Sequence, residues 1–127
     1  MRATIRHADS SECFFREGCH ISEWSNSDDD PALSVARARV EAGGVTLWHR
    51  LEGVTERYVV LSGTGRVELG EGAGRIMETV GPGSVVIIPP GVPQRIANTG
   101  SDDLVFLALC SPRFTPDCYF ECAPNGI

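Results

Sequence analysis

Between Leu33 and Cys110 the chain is interrupted at short, regular intervals by glycine, proline or a polar turn, and no stretch between interruptions suits a helix of three turns. That punctuation constrains the fold more than any other feature. Leu33–Val40 has a strict period of two, with Arg37 and Arg39 on the face of Leu33 and Val35, and Gly43-Gly44 ends it. The two arginines read either as outer-face residues paired with acidic neighbours or as a contact for a ligand carboxylate. Ser62-Gly63-Thr64-Gly65 is turn chemistry, Arg66–Leu69 alternates, Gly70–Gly74 turns again, and Ile76–Val80 gives another strand. Ser84–Ile88 is apolar on both faces, as in a strand covered on both sides. Pro89-Pro90-Gly91-Val92-Pro93 forces a rigid bend, because proline lacks the donor for a sheet ladder, and Gln94–Asn98 resumes extended chain. Leu104–Cys110 is the most apolar run and lies between turns without cap signals, which favours a buried strand. About six to nine short strands spaced in this way predict an all-β jelly-roll barrel, a double-stranded β-helix.

The ends are less regular. Residues 1 to 17 carry no clear period, Cys19–Trp24 reads as a short strand, and Ser25–Pro31 is a polar loop. Pro112, Pro116 and Pro124 predict an irregular tail draped over the body. The whole, 1–127, is expected to be a single domain: an arm and first strand over 1–30, a barrel core over 33–110, and a tail over 111–127. A net charge of −6 argues against a nucleic-acid-binding surface, which needs a basic stripe to replace counterions. There is no apolar run of membrane-spanning length, and the first residues lack the apolar centre of a signal peptide, so the expected location is cytoplasmic and no membrane partner is expected. Five cysteines, an odd number, favour reduced thiols over a disulfide framework. Cys13 and Cys19 with Cys118 and Cys122 lack the close spacing of a zinc knuckle, and Cys19 and Cys110 read as buried thiols.

The chemistry concentrates between His49 and Gly63. In Val45–Leu51 alternate residues share a face, which places Val45, Leu47, His49 and Leu51 together; after the turn at Gly53-Val54-Thr55, Glu56, Tyr58 and Val60 share another. If the two runs form a hairpin over a core, His49 and Glu56 both point inward. An imidazole and a carboxylate buried together are costly unless a metal or a mutual hydrogen bond satisfies them. Of the other histidines, His20 suits a surface or edge-strand position, and His7 lies in an end without clear structure.

These residues resemble the cupins, a family of small β-barrels. The first motif of that family, glycine, His-x-His, glutamate and glycine, is matched in spacing by Gly43, His49, Glu56 and Gly63, with Leu51 in place of the second histidine. The second is matched by Gly83, Pro89, Gly91 and Asn98, with Gln94 in place of the histidine. The segment Cys110-Ser111-Pro112-Arg113-Phe114 is similar to one found after the last core strand in a group of small bacterial cupins. The resemblance implies metal ligands at His49, Glu56 and Gln94, whose amide oxygen can still coordinate, whereas Leu51 offers nothing. The implied cofactor is a divalent transition metal: iron, manganese, nickel or zinc.

Two functional classes follow. One is a metal-dependent enzyme, an oxygenase, isomerase or lyase acting on a small polar organic molecule, with Glu56 as ligand or general base and Tyr58 as an acid on the same face. The other is a non-catalytic binding or sensor module, with His49, Glu56 and Gln94 as a hydrogen-bonded network after loss of the metal; Tyr58 is then a packed wall residue. The glycine-rich turns lie between strands, with no helix N-terminus to receive phosphate, so no nucleotide cofactor is expected. Apolar residues on both faces of Glu56–Leu61 and Ser84–Ile88 predict a homodimer packed through a sheet face.

Overall fold

A computed structural model describes residues 2–8, 11–15 and 18–122. The strands are β1 (Cys13–Phe15), β2 (Cys19–Ser25), β3 (Ser34–Val40), β4 (His49–Leu51), β5 (Thr55–Ser62), β6 (Gly65–Leu69), β7 (Ile76–Val80), β8 (Val85–Ile88), β9 (Gln94–Asn98), β10 (Leu104–Ser111) and β11 (Tyr119–Glu121). Single 3₁₀ turns at Gly72–Gly74 and Pro116–Cys118 are the helical elements among the described residues. The strands form two antiparallel sheets, ordered β1-β2-β3-β10-β5-β8 and β11-β4-β9-β6-β7. This is the expected all-β jelly roll.

The core lies between the sheets. Alternation sends Tyr58 and Val60 of β5, Val86 and Ile88 of β8, Ala38 and Val40 of β3, and Phe106 of β10 inward from one sheet. Val67, Val80 and Ile96 meet them from the other. Asn98 ties the layers: its buried Nδ2 donates to the carbonyls of Val40 (2.8 Å) and Asp102 (2.7 Å), while its Oδ1 accepts from the Gly100 amide (2.9 Å). Gly63 closes the turn after β5 at φ +88°, where an added Cβ would stand 2.5 Å from the Asp103 carbonyl oxygen. Only glycine fits there.

Three expectations change. The runs flanking Gly53 do not form a hairpin: β4 pairs with β9 and β11, whereas β5 pairs with β10 and β8, so the turn carries the chain from one sheet to the other. Nor do Val45 and Leu47 share the inward face of His49. Thr46 and Trp48 are buried and Val45 and Leu47 exposed, then the parity reverses at His49, because regular pairing on β4 starts only there. Finally, two strands escaped the sequence. β1 pairs with β2, and β11, inside the proline-rich segment, pairs with β4 through Tyr119↔Leu51 and Glu121↔His49.

Candidate functional site

Since β4 and β5 belong to facing sheets, His49 and Glu56 approach one cavity from opposite sides. The cavity measures about 60 Å³ and is open at one end. His49 (2% exposed), Glu56 (8%) and Cys110 form its deep wall; Phe15, Glu23 and Phe114, which retain more solvent contact, stand nearer the mouth. The His49 ring stacks on Tyr119 of β11, with centroids 5.0 Å apart and planes inclined by 20°. Its Nδ1 lies 2.7 Å from the Leu47 carbonyl oxygen. A carbonyl can only accept, so Nδ1 carries a proton and, in the neutral ring, Nε2 is the basic nitrogen.

Glu56 is held by a buried network. Gln94, directly opposite His49 on β9, donates from Nε2 to Glu56 Oε1 at 2.9 Å. The Tyr58 hydroxyl donates to Gln94 Oε1. The Cys110 thiol contacts Glu56 Oε2 at 3.7 Å. The directions are mutually consistent, because an ionised carboxylate only accepts and therefore turns the Gln94 amino group toward itself, leaving the amide oxygen for the tyrosine. Burial first, and then the adjacent Glu56 carboxylate, push the Cys110 thiol above its ordinary range. It stays a protonated donor rather than a nucleophile.

The four residues singled out in the sequence therefore come together in two ranks. His49 and Glu56 line the cavity, while Gln94 and Tyr58 are absent from its wall. Tyr58, expected as an acid on the face of Glu56, is buried against Phe106, centroids 4.5 Å apart, with its hydroxyl directed to Gln94. For a metal, the donor set is thin. Leu51 is an apolar wall residue, and the Gln94 amide presents N–H, not oxygen, on the side shared with Glu56. Among the described residues no three His, Cys, Asp or Glu side chains gather in a group suited to a metal ion. Cys19 and Cys118 belong to separate apolar clusters. Arg37 and Arg39 are not among the cavity's lining residues and are engaged with Glu12. His20 sits on β2 against Phe14, between Glu12 and Glu41.

Sequence reasoning missed the rest of the wall. Phe15 and Tyr119 lie on the two unforeseen strands, and Phe114 lies outside any strand, between Pro112 and Pro116. The one available signal was the Tyr119-Phe120-Glu121 run, too short to read against three prolines.

Residues 36–110 match the cupin domain family. No curated protein matches the chain in sequence. Among solved structures, oxalate decarboxylase from Bacillus subtilis superposes with a TM-score of 0.76 at 18% identity, over 94% of this chain and 33% of that one. CapF, solved with the inhibitor 3-isopropenyl-tropolone, gives 0.74 at 21% identity, over 87% and 33%. The chain thus spans about a third of the length of either protein. The nucleoside dehydratase Pac13 gives 0.75 at 18% identity, over 94% and 91%. At these identities the likeness is one of fold.

Proposed function

Since this chain belongs to the cupin family, we propose that its barrel takes up a small organic molecule between His49 and Glu56 without a resident metal. One observation carries the proposal: both ends of the Gln94 amide are engaged, Nε2 on Glu56 and Oε1 on Tyr58. To ligate a cation beside Glu56 the amide would have to turn over, losing its donation to the carboxylate and facing the tyrosine with N–H. A buried network satisfied in this way stabilises the metal-free pocket and resists that change.

The chemistry open to the pair is proton transfer. A basic imidazole nitrogen and a carboxylate on opposite walls of one cavity suit an isomerase or lyase, with His49 Nε2 or the Glu56 carboxylate taking a proton from the substrate and the group that took it returning it, and with Gln94 and Tyr58 as positioning residues. The same walls serve a binding or sensor module that performs no turnover. Small-molecule chemistry has precedent on this fold in a nucleoside dehydratase, solved also with uridine, and in oxalate decarboxylase.

A metal-dependent enzyme is the second reading, favoured by His49, whose Nδ1 contact with Leu47 leaves Nε2 as the coordinating nitrogen. Its ligands would be His49, Glu56 and Gln94, and a bound metal would supply Lewis acidity or redox chemistry. Thermal unfolding with added iron(II), manganese, nickel or zinc separates the readings. A specific site at about 100 times its Kd raises Tm by about 10 °C. We expect no such rise; one that His49→Ala abolished would establish the metal site.

Homodimerisation belongs to the same proposal. Val85 (57% exposed) and Ile87 (61%) of β8 lie on the outer face, with Val59 opposite Val85 and Leu107 opposite Val59 in register. A second copy would cover this stripe. Cytoplasmic residence completes it, supported by five cysteines free of disulfides. Among the described residues, no helix is long and apolar enough to cross a membrane.

A further inference from the structure

The charge of the pocket wall is one-sided. Of the described residues lining the cavity, Glu23 and Glu56 are acidic and none is arginine or lysine. Among the described residues, strand alternation and side-chain pairing turn the neighbouring arginines elsewhere. Arg50, next to His49, donates to Glu52 at 2.7 Å; Arg57, next to Glu56, donates to Ser111 at 3.1 Å; and Arg113, next to Phe114, reaches Asn26 and Asp28 at 2.9 and 2.6 Å. Of the ten other lining residues four are aromatic, Phe15, Phe114, Tyr119 and the His49 ring stacked on it, and the rest are aliphatic or small.

From this wall we infer that the ligand is a small organic cation, a protonated amine or a quaternary ammonium. The inference rests on the reading of the cavity as a ligand site and adds the charge of what enters it. Ring faces attract a cation within about 6 Å through their quadrupole, most strongly where water is excluded. Glu56, oriented by Gln94 and Cys110 at the deep end, supplies the countercharge, and Glu23 at the mouth adds a second. Because Asn26 Nδ2 donates to Glu23 Oε2 at 2.6 Å, that carboxylate is positioned as well. A carboxylate-bearing ligand would instead meet two like charges and, among the described lining residues, no guanidinium. The cavity volume of about 60 Å³ accepts an ammonium head, with the rest of the molecule passing Glu23 and Phe15 to the open end.

Titration calorimetry with n-butylammonium, n-butanol and butyrate tests this on one carbon frame carrying positive, zero and negative charge. The metal content of the same preparation is measured alongside. The expected result is a Kd for butylammonium at least about tenfold below that for butanol, with no butyrate binding. Glu56→Gln should weaken butylammonium by about tenfold or more and Glu23→Gln by about threefold, so that the preference for butylammonium over butanol falls in each. The exposed position of Glu23 keeps its variant folded, as its melting curve should verify. In metal-free protein, equal binding of butanol and butylammonium, or preference for butyrate, overturns the cation inference and leaves the pocket reading standing. Absence of butylammonium binding up to about 10 mM also overturns it. Stoichiometric metal removes the premise and overturns both.

Discussion

Gln94 decides how the site works. It stands where the family places a histidine, fully buried opposite His49, and it joins Tyr58 to Glu56. Substituting histidine for both Leu51 and Gln94 should complete an imidazole-rich ligand set and produce tight zinc or nickel binding by calorimetry where the parent binds neither. A double variant that binds no metal would show that the cavity, not the ligand count, forbids it. Tyr58→Phe should leave the barrel folded, cost about 1 kcal/mol or more in chemical denaturation by orphaning the Gln94 oxygen, and loosen ligand binding through Glu56. At this scale the sequence was legible where spacing alone sufficed. The motif spacing singled out His49 and Glu56, and both line the cavity, although neither the parity read over Val45–Leu51 nor a hairpin at Gly53 is what aims them there. The role of Tyr58 was not legible, since whether a hydroxyl faces a cavity or a neighbouring amide depends on strands far away in sequence.

A second residue pair sets a pH response. Glu68 is buried on β6 beside Arg95 of β9, whose guanidinium holds its carboxyl below the usual carboxylate range against the opposing effect of burial. A carboxyl with a depressed folded-state pKa contributes stability that is complete above its unfolded pKa and is lost as pH falls through the folded value. Stability should therefore decline on the acid side of pH 4, and Glu68→Gln should flatten that decline in a series of denaturation curves from about pH 6 to pH 3. An unchanged slope would show that other carboxylates govern it.

Among the elements, the turn between β4 and β5 matters most. Crossing from sheet to sheet, it sets His49 and Glu56, close in sequence, on opposing walls, whereas a hairpin would have set them side by side. Glycine spacing disclosed the turns but could not tell a hairpin from a crossing, because that choice is made by β9 and β10. The glycines themselves follow the expected backbone requirement: Gly91, in the proline-rich bend, has φ +79°. The tighter constraint is Gly63. Gly63→Ala should destabilise the fold by about 2–4 kcal/mol, given its left-handed backbone and the Leu104 Cα only 2.8 Å from an added Cβ. A melting temperature within about 2 °C of the parent would contradict this assignment. β11 shows the opposite limit of sequence reading: three residues between prolines have no periodicity to detect, yet they place Tyr119 on His49.

For the molecule as a whole, two sheets enclose an apolar core at one end and, at the other, a pocket with a largely apolar wall that carries the carboxylates Glu23 and Glu56. The jelly-roll class was legible from punctuation and alternation, which are local; the division of strands between sheets was not, because it rests on non-local pairing. On the outer face the stripe through Val85, Ile87 and Val59 predicts a dimer, and Ile87→Glu with Val85→Glu should convert it to monomer in light scattering while the melting temperature stays within a few degrees. A parent protein that is monomeric at high concentration would remove that assignment. The central claim, a cupin pocket that works without metal, is tested most directly by elemental analysis of untagged protein purified without chelator, alongside His49→Ala. The account predicts iron, manganese, nickel and zinc far below one equivalent in both proteins; near-stoichiometric metal that disappears in His49→Ala would contradict it.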